Sequence, residues 1–383
     1  VNSTSIVTGG RNAKGAYVLG SASASLDGVA IRTTGENADG LFATATASDA
    51  NMLRGRAVNV VTTGATSSGI KIVNHGRAEL AYSSLNTFGT ASPAISIEGQ
   101  GEKISDYSLS AIGSFVYSKQ SEALRVAGAN VGISLSAGTR LDSSAGVAIR
   151  AAGKDGFDSN ANIRVAGSEI VGDMLADPGS QIHLSLFGGA VVTGGMQNPA
   201  GSIYMSDYAA GPSRWNLTKN SHVGEFESHG GIVQFVHNGA GFKTLTIETL
   251  NSVDDTTFAM NAVLNEGGAA AQSDLLHVRK DGLALESRAK VAVANQGGAG
   301  AKTVGAGIKL IQIDEAYSVN SYSLASPLQA GAYEYQLHRI VDLEREETSW
   351  FLSSELGSPQ SAETAAAALS GDKSNPGRNA KIS

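Results

Sequence analysis

Histidine and carboxylate side chains are the residues of this chain that could bind a metal or transfer protons. Three of the seven histidines, His222, His229 and His237, lie close together in sequence with Glu225 and Glu227. Imidazole nitrogens and carboxylate oxygens are zinc ligands, so a metal site is one interpretation. The spacing matches no metal-binding motif, however, and histidines on the exposed side of strands are the interpretation we favour. We therefore expect neither a metal nor a cofactor.

Paired carboxylates suggest a second kind of chemistry, the cleavage of glycans by a general acid and a base. Asp254 and Asp255 are adjacent in sequence, but neighbouring residues of a strand point to opposite faces, which favours a turn at this position. The cluster from Glu344 to Glu347 includes Arg345 and is typical of a solvated turn or strand surface.

The sequence lacks the local motifs of exported enzymes. It contains no Gly-Asp-Ser-Gly, Gly-x-Ser-x-Gly or Gly-Thr-Ser segment that would mark a serine nucleophile, no His-Glu-x-x-His and no phosphate-binding loop. We therefore predict a protein that is not an enzyme. Two alternatives stay open: a glycan-cleaving enzyme whose carboxylates come from distant parts of the chain, and a stalk whose catalytic domain would precede Val1.

The composition favours a thin core that is repeated many times over several large globular cores. Among the 383 residues, aromatic residues make up 6% and charged residues 16%, and there are 47 glycines. A net charge of -7 and a pI of about 5.5 argue against nucleic acid as a partner. The chain has no cysteine, which fits either a cytoplasmic chain or one that crosses a narrow pore unfolded. It also has no run of 18 apolar residues and no leader-like segment at Val1, so if the chain is exported we expect that it has already been trimmed.

An internal repeat positions the side chains of the first 150 residues. Each repeat contains a small residue followed by apolar residues at the next and third positions, with a small polar turn before several of the copies. The copies begin at Gly15, Gly40, Gly69, Ala94, Ala123 and Gly146, at intervals of 25, 29, 25, 29 and 23 residues. A period in the twenties with short strands is typical of a solenoid.

The residue types indicate which solenoid forms. Leucine-rich and helical repeats are excluded because the chain lacks both the Leu-x-x-Leu-x-Leu pattern and stretches of helical spacing. The sequence therefore predicts an all-β protein, a right-handed parallel β-helix with three short strands per coil and a β-rich C-terminal cap. We expect about nine coils before residue 215, with a height of roughly 40 Å at the spacing of neighbouring strands.

The last third of the chain has larger apolar residues in alternating runs. Its ordered pattern consists of Trp215, Leu217, Ser221, Phe242, Leu245, Leu250, Phe258, Ser273, Asp274, Leu276, Gly282, Leu310, Ile311, Ile313, Gly331, Tyr333, Tyr335, Leu337, Trp350 and Leu352. The order of these residues resembles the C-terminal region of pertactin-like autotransporter passengers, the surface proteins that Gram-negative bacteria export by type V secretion.

This resemblance implies a division of the chain into three parts. Residues 1–214 would be the β-helix shaft, residues 215–352 an autochaperone that caps the helix, and residues 353–383 a linker towards an outer-membrane barrel. The family's C-terminus emerges from the barrel first, so the cap would fold first and promote export. The residues assigned to this folding cap are Trp215, Phe242, Leu245, Leu250, Phe258, Asp274, Leu310, Ile311, Tyr333, Tyr335 and Trp350.

The resemblance also implies a location and partners. The passenger would travel through the periplasm and the outer membrane to the bacterial surface or beyond, and its own outer-membrane β-barrel translocator would be one partner. A host protein would be the other, bound by an adhesin or by a virulence factor that captures serum or complement-regulating proteins for immune evasion. We expect a monomer.

Long turns between repeats are the expected binding sites, because insertions in a solenoid form loops. The stretches 99–107, 151–161 and 196–214 are too long for tight corners. Tyr and Arg often anchor interfaces, and the candidates for partner binding are Tyr204, Tyr208, Arg214, Lys154 and Phe157.

Overall fold

The chain winds into one stack of short strands, in which most strands pair in parallel with a strand of the coil before and of the coil after. The computed structural model describes residues 4–46, 51–99, 103–208, 210–239, 241–282, 287–316, 318 and 320–354. Apart from a 3-10 turn at Gly268–Ala270, the regular elements of these residues are strands. No helix among them is long and apolar enough to span a membrane. The prediction of an all-β parallel solenoid is confirmed.

Each of the first five coils has three strands, one on each face of the solenoid. We call these the first, second and third faces in chain order. The strands are β1 Thr4–Thr8, β2 Ala16–Leu19, β3 Ser23–Asp27, β4 Val29–Thr33, β5 Leu41–Ala45, β6 Met52–Arg56, β7 Asn59–Thr62, β8 Ile70–Asn74, β9 Ala78–Ala81, β10 Ser84–Thr87, β11 Ile95–Glu98, β12 Lys103–Ile112, β13 Phe115–Ser118, β14 Leu124–Ala127 and β15 Asn130–Ser136.

From β16 onward a coil has two strands, because one strand bends around a corner and serves two faces. For example, β16 pairs with both β13 and β14. The strands are β16 Arg140–Ala152, β17 Asn160–Ala166, β18 Glu169–Ala176, β19 Gln181–Phe187, β20 Val191–Thr193, β21 Met196–Ser206, β22 Arg214–Leu217, β23 Ser221–His229, β24 Ile232–Phe235, β25 Thr244–Ser252, β26 Thr257–Ala262, β27 Leu275–Asp281, β28 Arg288–Asn295, β29 Ile308–Ile313 and β30 Ser321–Leu324.

A column of apolar side chains runs along the inside of the first face, because parallel in-register pairing places the same position of every coil above the last. Its members are Ile6, Ile31, Val60, Leu85, Val116, Leu141, Ile170, Val192, Trp215, Val233, Phe258, Val291 and Leu324. At about 25 cal/mol per Å² of buried apolar area, this repeated contact is a main source of stability. The pairing continues from β20 through β22 to β24.

The small residues of the sequence repeat form a second column at the start of the second face. A Cβ on Gly40 would lie 2.2 Å from a Val60 methyl group, and one on Gly69 would lie 2.7 Å from the carbonyl oxygen of Ala94. The last copy of the sequence repeat does not begin at Gly146 as predicted, because Leu124 pairs with Ile149. Ala148, not Gly146, therefore follows Ala123, and the last interval is 25 residues. Gly146 lies in the bend of β16 with φ of +87°.

Hydroxyl groups and glycines shape the first corner of the early coils. The buried hydroxyls of Thr33, Thr62 and Thr87 donate hydrogen bonds of 2.6, 2.8 and 2.7 Å to a backbone carbonyl five residues later. Beside them, Gly35 and Gly64 stack so closely that a Cβ on Gly64 would lie 1.8 Å from the carbonyl oxygen of Gly35. These bonds satisfy backbone groups that a corner takes out of the strand ladder.

The parallel stack ends in antiparallel strands. The open edge of β29 is covered by β33, Glu347–Ser353, which pairs with β32, Tyr333–Asp342. A short strand β31, Leu328–Ala330, pairs with the other end of β32. An uncovered edge invites pairing with other chains, so this arrangement caps the second face, and the prediction of a β-rich cap is confirmed.

Two of the expected long loops are shorter than predicted. The stretch 196–206 belongs to β21, and only residues 207–213 connect it to β22. The Asn-Pro-Ala-Gly segment at residues 198–201 forms the tight second corner. There the buried Asn198 amide receives a hydrogen bond from the Ile182 nitrogen (3.1 Å) and donates one to its carbonyl (2.6 Å). In the stretch 99–107, β12 already begins at Lys103. Most of the predicted linker 353–383, from residue 355 onward, lies outside the described residues.

Glu98 joins three coils on the second face. Its carboxylate accepts hydrogen bonds of 2.6 Å from Lys71 and from Lys154. Burial alone would raise the pKa of this carboxyl group, but the hydrogen bonds from Lys154 and Lys71 outweigh that effect and lower its pKa to about 2.

Replacing Gly64 with Ala should destabilise the stack, because the new methyl group collides with the backbone of Gly35. We expect a loss of about 2 kcal/mol or more in the free energy of unfolding, measured by urea denaturation. Gly10→Ala is the matched control at the end of the same column, where the nearest atom lies 3.6 Å away, and it should change little. Equal effects of the two substitutions would show that the glycine column does not limit the packing.

Replacing Glu98 with Gln should weaken the acid dependence of stability. A carboxyl group with a lowered pKa stabilises the fold above its unfolded-state pKa of about 4.5 and loses that contribution as the pH falls towards 2. We expect the variant to lose about 2 kcal/mol at pH 7 and to approach the parent at pH 2 in urea titrations. A constant difference between the two proteins over this pH range would contradict the assignment.

Candidate functional site

A row of aromatic and cationic side chains crosses the outside of the third face. The guanidinium of Arg164 lies 4.7 Å from the ring centre of Phe187, which is 5.5 Å from the ring of Tyr204. The Tyr204 ring is in turn 5.9 Å from that of His229. The row zigzags over β17, β19, β21 and β23, because Arg164 and Tyr204 share one register position while Phe187 and His229 lie two residues further along their strands. Along each strand, these outward residues alternate with inward ones.

Tyr208 extends this row into the third corner. Its side chain is 75% exposed, and its carbonyl oxygen accepts a hydrogen bond of 3.1 Å from the nitrogen of Gly188, the residue after Phe187. We call Arg164, Phe187, Tyr204, Tyr208 and His229 together the third-face aromatic surface. It combines the residue types that most often anchor protein interfaces on a rigid sheet.

Polar groups next to this surface are held in place by local hydrogen bonds. His229 Nε2 lies 2.9 Å from a Glu227 carboxylate oxygen. His183 Nδ1 lies 2.8 Å from the Ser202 hydroxyl. Burial lowers the pKa of His183, and the charge of Glu225 partly opposes this shift. These polar side chains are therefore held in place by neighbouring groups of the protein itself.

The other predicted partner-binding residues lie elsewhere. Lys154 and Phe157 form a small antiparallel bridge in the connection from the second to the third face. The Phe157 ring is 44% exposed, but the Lys154 ammonium is engaged by Glu98. Arg214 begins β22 on the first face and is half-buried. Tyr204 thus lies within the row and Tyr208 in the connection after the same strand, whereas these three residues lie apart from them.

The histidines considered as metal ligands are distributed over the solenoid. His222 Nε2 contacts Glu248 at 2.5 Å on the second face, and Arg279 approaches the same carboxylate at 3.3 Å. His229 belongs to the third face, and His237 follows β24 with its ring 6.0 Å from that of Phe242. Within the described part of the chain, no group of three or more His, Cys, Asp or Glu residues has an arrangement suited to a metal ion.

The acidic clusters are turns, as the sequence indicates. Asp254 and Asp255 form the turn between β25 and β26, and Asp254 accepts a hydrogen bond of 3.2 Å from the Arg288 nitrogen. Residues 343–346 form the turn between β32 and β33.

Most residues assigned to the folding cap are buried near the end of the stack. Those that are at most 8% exposed are Trp215, Leu245, Leu250, Phe258, Asp274, Leu310, Ile311, Tyr335 and Trp350. Phe242 is half-buried in the connection before β25, and Tyr333 is 38% exposed. These two aromatic side chains lie at the surface, apart from the buried set.

Two polar groups within this set tie the last coils together. The Asp274 carboxylate accepts hydrogen bonds from the Lys243 nitrogen (2.7 Å), the Asn261 nitrogen (2.7 Å) and the Asn261 side chain (2.6 Å). The Tyr335 hydroxyl lies 3.0 Å from both the nitrogen and the carbonyl oxygen of Ala301. Because a buried polar group is costly without partners, these bonds define how the terminal loops fit on the stack.

Sequence reasoning missed Arg164 and Phe187 as surface residues. They fall in alternating strand segments that look ordinary in the sequence. The contacts from Arg164 to Phe187 and from Phe187 to Tyr204 depend on the coil lengths between them. A signal was present in the alternation of residues 160–166 and 181–187, where Arg164 and Phe187 are out of phase with the buried aliphatic residues.

Comparisons with known proteins agree with the expected export pathway. Residues 221–337 match the family model of the type 1 autochaperone domain. The chain is also 29% identical over 203 residues, or 52% of its length, to a probable autotransporter, YcgV, of Escherichia coli strain K12. It spans only 20% of the length of that relative. Together, the two matches support an autotransporter passenger with a C-terminal autochaperone region and its export to the cell surface or secretion via the outer membrane.

Proposed function

We propose that this passenger is a non-enzymatic virulence factor that binds a host protein through the third-face aromatic surface. It would act as an adhesin, or it would capture a serum or complement-regulating protein for immune evasion. The observation that carries this proposal is the unbroken contact from Arg164 through Phe187 and Tyr204 to His229. None of these outward side chains is needed to fill the interior, which the aliphatic columns occupy.

The geometry of the row suits a protein partner. Tyr and Arg lose little conformational freedom on binding when neighbouring groups already hold them, so a preformed surface binds more tightly than a flexible one. The Arg164 guanidinium is held on the Phe187 ring, and His229 is held by Glu227. Tyr208 at the edge presents a large exposed ring that a partner can enclose.

Two carboxyl groups of the described residues, Glu98 and Asp314, lack the raised pKa that a glycosidase's general acid needs. A glycan-cleaving enzyme needs a carboxylic acid with a raised pKa. The carboxyl groups with shifted values among the described residues move the other way. For Asp314, burial would raise the pKa, but hydrogen bonds from Gln312 and His277 and nearby charges lower it, and Glu98 behaves similarly.

Removing the aromatic anchors should abolish host-protein binding without unfolding the chain. In the test, the whole chain is immobilised and used to capture serum and extracellular-matrix proteins. Each captured protein is then purified, and its affinity for the chain is measured by surface plasmon resonance. For Phe187→Ser and Tyr204→Ala we expect at least about a tenfold loss of affinity, because single anchors typically contribute 2 kcal/mol or more.

The matched control is Phe157→Ser, an exposed ring at another corner, which should bind as the parent does. Circular dichroism and urea midpoints would verify that all three variants are folded. The proposal is wrong if both third-face variants retain the parent affinity for every captured protein.

We further propose that the autochaperone region is the template on which the earlier coils fold during export. The largest fully buried side chains of the described structure support this. Trp215, Tyr335, Phe226, Phe235 and Phe258 all lie at or after β22. Larger buried apolar side chains contribute more stability per coil, so this end can form first and offer its upper strand edges to the coils that follow.

Replacing Asp274 with Ala should impair folding of the whole chain, because three buried donors lose their acceptor. We expect a loss of about 3 kcal/mol and a slower recovery of β-structure after dilution from urea, followed by circular dichroism. Asp254→Ala, an exposed aspartate with one hydrogen bond of 3.2 Å, is the control. Unimpaired refolding of the Asp274 variant would exclude the template role for this end.

A further inference from the structure

We propose that the first face carries a second binding site, separate from the third-face aromatic surface, for a neutral oligosaccharide. Three outward aromatic rings gather here: Phe115 and Tyr117 on β13, and Phe88 at the corner that follows β10. We call these three residues the ring platform. Phe88 and Phe115 are each 38% exposed, and neither the interior nor the third-face aromatic surface uses them.

The rings have a defined mutual geometry. Phe115 and Tyr117 are nearly parallel, with an angle of 8° between their planes and 6.3 Å between their centres. Phe88 is inclined by 60° to Tyr117 at 6.2 Å. Two parallel rings and one inclined ring offer apolar contacts in two directions. The polarised C–H groups of a sugar ring pack favourably on the electron-rich face of an aromatic ring.

Hydrogen-bonding groups border the platform on both sides. Pairing places Ser84 beside Phe115, and Asn86 beside Tyr117. On the next coil, the Ser144 hydroxyl lies 2.8 Å from that of Tyr117. Amides and hydroxyls both donate and accept hydrogen bonds, as sugar hydroxyls do, so the border matches a polyhydroxylated ligand.

The charges around the platform favour a neutral ligand over an acidic one. Arg140, the neighbour of Phe115 on the next coil, is already paired with Asp142 at 2.8 Å and with Glu169 at 2.5 Å. Its positive charge is therefore compensated and unavailable to a sulfate or carboxylate. The net charge of the chain is -7, which also disfavours a polyanion.

The small apolar area favours a sugar over a protein. A stable protein interface buries about 800 Å² on each partner around a largely apolar core. Here three half-exposed rings stand among asparagine, serine and ion-paired groups. A few stacking rings with a hydrogen-bonding border can instead hold one or two sugar units, and repetition along a glycan chain adds avidity.

The test starts with the purified whole chain on an array of neutral, sialylated and sulfated oligosaccharides. We expect binding to neutral members that does not increase with sialylation or sulfation. The strongest soluble neutral oligosaccharide is then titrated by calorimetry, where its affinity should change little with salt, because no ion pair forms. Binding only to charged glycans, or no binding to any neutral member, would overturn the proposal.

Substitutions separate stacking from general apolarity. Tyr117→Ala and Phe115→Leu should each weaken the titrated binding by about tenfold, although leucine keeps an apolar side chain. Tyr117→Phe keeps the ring and should stay within about threefold of the parent. Unchanged affinity in the Leu and Ala variants would refute the ring platform.

Tyr208→Ala is the matched control on the third-face aromatic surface and should leave oligosaccharide binding unchanged. If Tyr117→Ala and Phe115→Leu instead weaken capture of a host protein, the platform is a protein interface and the present inference is wrong. Loss of protein capture in the third-face variants alone would bear only on the function proposed above.

Discussion

Hydrogen bonding between successive coils is the constraint on which the rest of this structure depends. Because most strands pair in parallel and largely in register, most positions repeat along the stack, inside and outside. An apolar residue therefore needs an apolar neighbour one coil away, and the first face meets this demand from Ile6 to Leu324. The same rule brings small residues together where the chain turns, since a side chain at Gly40 or Gly64 would collide with the adjacent coil.

This constraint explains how a chain poor in large apolar residues can be stable. A solenoid buries each coil on two neighbours, so many small contributions add up along its axis. The outermost coils have only one neighbour and need a different solution. The C-terminal end is stabilised instead by larger side chains, such as Trp215 and Phe258, and by the antiparallel pairing of β33 with β29. The autochaperone region thus differs from the shaft in side-chain size and in pairing, two properties that suit an end which folds first.

The same repetition creates rows of outward side chains that do not contribute to the interior packing. On the third face the row is aromatic and cationic, from Arg164 to His229; on the first face it is a cluster of rings around Tyr117. Elsewhere the outward rows are filled by ion pairs between coils, as at Glu98. A solenoid can therefore carry several separate binding surfaces on one rigid body, and a change in one outward residue leaves the interior columns intact.

The sequence by itself determined the all-β solenoid, its C-terminal cap and the buried positions, because alternation and a small residue at each repeat are local properties of the chain. Only the tertiary structure decided which outward residues meet. Phe187 contacts Tyr204, and Glu98 contacts Lys154. The coils between these residues differ in length, so adding or removing one residue in a coil would bring different outward side chains together. For the same reason the sequence misplaced residues 196–206, whose Asn-Pro-Ala-Gly segment is a tight corner once the buried Asn198 side chain bonds the coil below.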